Sequence, residues 1–96
     1  MKVVGRSVLE VFCLQHADAR RWIEQWLADV EVSSWASPQD IKSRYASTSF
    51  LAGNGVIFNV KGNQHRLEVT VAYKTSVVVV VWAGTHADYD ARNRKR

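Results

Sequence analysis

The stretch VIFNVKGNQHRLEVTVAYKTSVVVVVWA, Val56–Ala83, decides the fold. It holds three runs rich in β-branched and aromatic residues, over 56–61, 66–74 and 76–83, divided by Gly62-Asn63 and by Lys74-Thr75. Runs of this kind broken by turn residues predict three strands in an antiparallel meander. Side chains alternate across a strand. Leu67, Val69, Val71 and Tyr73 therefore share one face of the middle run, and Arg66, Glu68, Thr70 and Lys74 share the other. A tight turn at Gly62-Asn63 pairs Lys61 with Gln64 and Asn59 with Arg66, whereas a loop two residues longer pairs Lys61 with Arg66. In either register Arg66 joins the face of Asn59 and Lys61. The next turn pairs Tyr73 with Ser76 and hence Arg66 with Ala83, beside the strand end that leads into Gly84, Thr85 and His86. The unbroken run Val77–Val81 predicts a central strand covered on both faces.

Upstream the period is helical. Val3 and Val4 read as a short strand ended by Gly5. Val8, Leu9, Phe12 and Cys13 form one stripe over 6–16; Trp22, Ile23, Trp26, Leu27 and Val30 form another over 17–34. Ser37 is a good N-cap, Pro38 suits the first helical position, and a short helix over 38–45 follows. Residues 46–55, ASTSFLAGNG, read as a loop. The predicted fold class is α+β: a small antiparallel-rich sheet in the order β-α-α-β-β-β, with helices packed on one face and a polar floor on the other. Residues 1–91 form a single domain. Residues 92–96 are a basic tail without an apolar anchor, expected to fray.

Ninety-six residues suit one core, and 47% apolar content argues against wholesale disorder. The single cysteine, Cys13, excludes an internal disulfide framework and a cysteine-rich zinc site, and fits a reducing compartment. No apolar run approaches the roughly 20 residues that cross a bilayer, and MKVVGRSVLE lacks a signal-peptide core, so the expected location is cytoplasmic. The net charge of +4 is unevenly spread. Residues 1–40 carry four Lys/Arg against six acids, whereas residues 41–96 carry nine against three. Such asymmetry points to a half that faces a polyanion.

Strand parity gathers Asn59, Lys61, Arg66, His86 and Tyr89 in one region. Arg66 supplies a planar, permanently charged fork suited to phosphate. Lys61 adds a point charge, and His86 can exchange a proton near neutrality. Tyr89 can donate a hydrogen bond. The three histidines, His16, His65 and His86, are scattered and make no zinc site in sequence, and no acidic cluster suits magnesium, so no metal or cofactor is expected. The chemistry this set fits best is metal-independent attack of an RNA 2′-hydroxyl on its own phosphodiester. Each group also has a plainer reading: a solvated loop histidine, an arginine paired with Glu68 or Asp90, a tyrosine packed on the sheet.

The segments HADARRWIEQWL, SFLAGNGVIFNVKGNQHRLEV and VVWAGTHADYD resemble the HigB-type messenger-RNA interferase toxins of the RelE/ParE-like superfamily, over roughly Lys2 to Asp90. The resemblance implies cleavage of messenger RNA, often on the ribosome, growth arrest, and a neutralising antitoxin with a helix-turn-helix domain. It carries the family's active-site positions onto Arg66, His86 and Tyr89, and also onto Asn59, Lys61 and Asn63. RelE-type members place two lysines in the strand before the arginine, where this sequence has Ile57 and Asn59, with Lys61 just beyond. His86 is therefore the candidate base, Arg66 and Lys61 stabilise charge, and Tyr89 orients or donates. Lys42 and Arg44 are candidate contacts to the RNA backbone. Two other readings stay open: a ParE-like poison of DNA gyrase without nuclease action, and a non-catalytic RNA-binding module. The second calls for exposed aromatics on strand faces, whereas Trp22, Trp26, Phe58 and Tyr73 fall on predicted core faces.

Overall fold

Strand β1 (Lys2–Val4) passes into helix α1 (Arg6–Gln15) through Gly5, whose φ of 89° favours glycine. A Cβ there would also lie 2.8 Å from the carbonyl oxygen of Val80. The computed structural model describes residues 1–62 and 64–94, for Asn93 and Arg94 the backbone only. Leu9, Phe12 and Cys13 form the buried face of α1. The helix expected over 17–34 is divided: Ala17–Ala19 form a 3₁₀ turn, and α2 runs from Arg20 to Val32. His16, at φ −133° and ψ 74°, leaves the helical region and makes the break. Ile23, Trp26 and Val30 bury the inner face of α2, and the Met1 ammonium donates to the carbonyls of Val30 (3.0 Å) and Ser33 (2.8 Å) at its end.

Helix α3 (Pro38–Arg44) begins after Ser37 as expected, but the Ser37 side chain makes no capping bond. Asp40 reaches back instead and accepts the N–H of Ala36 at 2.8 Å. The stretch expected as a loop over 46–55 contains a three-residue strand, β2 (Ser49–Leu51), antiparallel to β3 (Gly55–Val60). Strands β4 (His65–Ala72) and β5 (Val77–Thr85) complete a five-stranded sheet in the order β1-β5-β4-β3-β2. β1 runs parallel to β5 and the other pairs are antiparallel. The α+β class and the meander follow the sequence reading.

The core lies between the sheet and α1 and α2. Trp26, Phe58, Leu67, Val69, Phe12 and Ile23 are essentially inaccessible. Each contributes on the order of 1.5–3 kcal/mol through burial. Trp26 packs edge-on against Phe58 at 5.5 Å. The valine run of β5 corrects its reading. The strand is interior, between β1 and β4, yet only Val78 and Val80 are buried while Val79 and Val81 are about 40% exposed. β-branched residues satisfy strand geometry on an open face too, so composition alone overstated the cover.

A second correction concerns register. Asn59 pairs with Arg66, as the tight turn requires. Arg66, however, pairs with Gly84 and not Ala83, because Val69 faces Val80 while Glu68 faces Trp82, leaving Val81 as an extra residue. This bulge turns Ala83 toward the core and sets Trp82 and Gly84 on the face of Arg66 and Glu68. The third difference is helix α4 (His86–Arg94), which includes 92–94 of the expected frayed tail; Lys95 and Arg96 lie outside the described residues.

Candidate active site

Three neighbouring strands bring Asn59, Arg66 and Gly84 side by side on the face turned away from the core. One step along the same face, Glu68 opposes Trp82. This face was expected to be an open floor, but α4 lies across it. Arg92 Nη1 donates to Glu68 Oε1 at 2.6 Å, and its guanidinium sits 5.3 Å from the Trp82 ring. The Tyr89 ring stands 5.9 Å from that of Trp82. Gly84 is required here for space: a Cβ would fall 2.6 Å from Trp82 Cζ2. The indole thus lies over the backbone that pairs with Arg66.

His86 opens α4. Its backbone N–H donates to the Gln64 carbonyl at 3.0 Å, and Thr85 Oγ1 caps the helix by accepting the Asp88 N–H at 3.0 Å. Arg66 and His86 therefore issue from adjoining backbone, one two residues beyond Gln64 and the other bonded to it. The half-exposed His86 ring places Nδ1 3.4 Å from Asp90 Oδ2, one helical turn on. A carboxylate at Nδ1 holds the ring's orientation and leaves Nε2 for proton transfer. Tyr89 packs on Trp82, as the plainer reading of that residue had it, while remaining partly accessible.

The other candidates are held elsewhere. Lys61 adopts a positive φ of 51° in the β3–β4 turn, and its ammonium lies 3.6 Å from Asp18 Oδ2. It is directed to the side where His65 faces the core, and so does not share the Arg66 face as parity suggested. Asn59 donates from Nδ2 to the Ser47 carbonyl at 3.2 Å. Lys42 Nζ donates to the Thr48 carbonyl at 2.9 Å. Arg44 pairs with Asp29 at 3.1 Å, and Tyr45 donates its hydroxyl to the same carboxylate at 2.5 Å. Burial and the Asp29 contact push the Tyr45 phenol well above its ordinary range. In this structure Lys42 and Arg44 thus fasten α3 to its neighbours. Asn63 lies outside the described residues. The histidines are not all scattered, since the rings of His16 and His65 are 5.0 Å apart.

Sequence reasoning did not single out Trp82 or Arg92, and gave Glu68 and Asp90 only a passive part, as partners for Arg66. Two signals were present: Thr85 followed by Asp88 has the spacing of a helix cap, and His86 and Asp90 stand four apart. Both mark HADYDARNR as a helix despite its lack of an apolar stripe.

A protein-family model described as HigB_toxin, the RelE-like toxic component of a toxin-antitoxin system, matches residues 19–92. The match takes in α2 through Arg92 and every candidate residue above. No curated protein matches the chain.

Proposed function

This chain belongs to the HigB family of RelE-like toxins of toxin–antitoxin systems, and on that premise we propose that it is an endoribonuclease cleaving messenger RNA on the ribosome. The observation that carries the reading is that Arg66 and His86 issue from adjoining backbone at one end of the sheet. Arg66 is fixed between Asn59 and Gly84, and His86 is tied through its N–H to Gln64. A guanidinium and an imidazole issuing from adjoining backbone suit an in-line attack on a phosphodiester.

In this mechanism His86 Nε2 takes the proton of the 2′-hydroxyl, and the 2′-oxygen forms a bond to the adjacent phosphorus. Arg66 stabilises the added charge on the phosphoryl oxygens with a fork of donors. The bond to the 5′-oxygen breaks, and that oxygen receives a proton from Tyr89 or from water. The products are a 2′,3′-cyclic phosphate and a 5′-hydroxyl. Asp90 keeps the ring oriented through the cycle. Lys61 joins the cationic set only on leaving Asp18. Arg66 supplies the charge that a metal ion would otherwise provide, so cleavage persists in chelator.

Membership of the family implies an antitoxin partner. We assign that partner a helix-turn-helix domain, and assign the toxin to the cytoplasm, where its substrate is translated. Among the described residues no helix is long and apolar enough to cross a membrane. The test is induction of wild type, His86→Ala and Arg66→Ala at equal soluble levels, followed by primer extension on cellular transcripts. Discrete new 5′ ends in the wild type and none in the variants support the assignment. Intact transcripts with continued toxicity would favour poisoning of another target.

A further inference from the structure

The fold joins three side chains that the sequence keeps apart. His16 follows α1, Asp18 sits in the 3₁₀ turn, and His65 opens β4. One ligand-capable atom from each lies within 4.8 Å of the other two, the only such group of three among the described residues. His65 Nε2 and Asp18 Oδ2 are 3.1 Å apart. In a tetrahedral zinc site with bonds of about 2.0–2.1 Å, neighbouring ligand atoms stand roughly 3.3 Å apart. The His65–Asp18 edge already has that length. Closing the longest separation takes no more than about 1.5 Å of side-chain movement. Asp18 is exposed and His16 half-exposed, so both have room to turn, whereas His65 is 5% exposed and fixed.

We propose that His16, Asp18 and His65 form a binding site for a zinc-class divalent cation, with the fourth position open to water. Two imidazoles and one carboxylate suit zinc and its neighbours in the first transition row, and not magnesium or calcium, which take oxygen ligands. The Phe12 ring lies 5.1 Å from that of His16 and 5.3 Å from that of His65, giving the site an apolar wall. His16 also lines a surface cavity of about 720 Å³ shared with Gln15, Gly84 and Asp88. One group opposes the cation: the Lys61 ammonium is 3.6 Å from the same Asp18 oxygen. A bound cation displaces it, which weakens the site and releases Lys61. His16 and Asp18 precede residue 19, where the family match begins, whereas His65 lies within it; the cation titration below reads the site without reference to nuclease activity.

The test is titration of the chelator-treated full chain with Co²⁺, followed by displacement with Zn²⁺. One Co²⁺ per chain with an intense visible band of tetrahedral type, lost on adding Zn²⁺, supports the site. Zn²⁺ at 100 times its Kd should raise Tm by roughly 10–20 °C. His16→Ala and Asp18→Asn should abolish the band while remaining folded by circular dichroism. Lys61→Met should tighten binding severalfold, an effect that a purely structural His–Asp pair has no reason to produce. Absence of a stoichiometric band in the wild type, or equal affinity in folded His16→Ala, overturns the proposal.

Discussion

His86 and Asp90 face each other across one turn of α4, with Nδ1 3.4 Å from Oδ2. In the proposed mechanism the pair divides the imidazole's two nitrogens between orientation and chemistry. His86→Ala should therefore lower the cleavage rate by about 10²–10⁴-fold, the usual contribution of a positioned base. Asp90→Asn should lower kcat by roughly tenfold with little change in KM, because it disturbs the ring's orientation and leaves substrate contacts in place. Single-turnover cleavage of a short RNA measures both. An unaffected Asp90→Asn enzyme would remove the carboxylate from the mechanism.

Arg66 is assigned by its fork, not only its charge. Arg66→Lys should recover less than a tenth of wild-type cleavage, since an ammonium cannot engage two phosphoryl oxygens in one plane. Circular dichroism should show an unchanged fold. Near-full activity in the lysine variant would mean that bidentate recognition plays no part.

Helix α4 is clamped to the sheet by Glu68, whose side chain is only 11% exposed, through the 2.6 Å contact with Arg92. Glu68→Gln weakens a charge-assisted bond and should cost about 1–2 kcal/mol. For a domain of this size that lowers Tm by roughly 4–16 °C. Proteolysis should then cut first within α4. A variant as stable as the wild type, with α4 equally protected, would show that Trp82 and Tyr89 hold the helix without the ion pair.

The hairpin carrying Arg66 was legible because the turn-forming pair Gly62-Asn63 breaks the apolar pattern in sequence, and the observed pairing of Asn59 with Arg66 matches. The next pairing was not, because the bulge falls inside Val77–Val81. Identical side chains carry no record of register, so an extra residue there leaves no mark in the sequence. Lys61 was misplaced for another reason. Parity assumes extended backbone, and its φ of 51° takes it out of the strand toward Asp18. The covering of the polar face was missed because α4 binds through Arg92, Tyr89 and Trp82 and not through an apolar stripe. The core stripes of α1 and α2 had the periodicity that burial imposes, and they were read correctly.

The His65–Asp18 contact makes stability depend on pH with a definite sign. The hydrogen bond from His65, then the nearby charges, lower the Asp18 pKa against the opposing effect of burial. Its folded value thus lies below an unfolded value of roughly 3.9. The contribution is complete above that pH and is lost as pH falls through the folded value. Wild type should melt above Asp18→Asn at neutral pH, in chelator, and the gap should close in acid. A gap that is constant down to the acid limit would exclude this carboxylate as its source.

In the proposed mechanism Arg66 and His86 act together on the 2′-hydroxyl and phosphate of one nucleotide. Its most direct measurement is cleavage of an RNA carrying a single 2′-deoxy substitution at the mapped cut site, compared with the unmodified strand, with product ends identified by mass spectrometry. The unmodified strand should yield a 2′,3′-cyclic phosphate and a 5′-hydroxyl, and the substituted position should stay uncut. Equal cleavage of the two strands by the wild-type protein would contradict it.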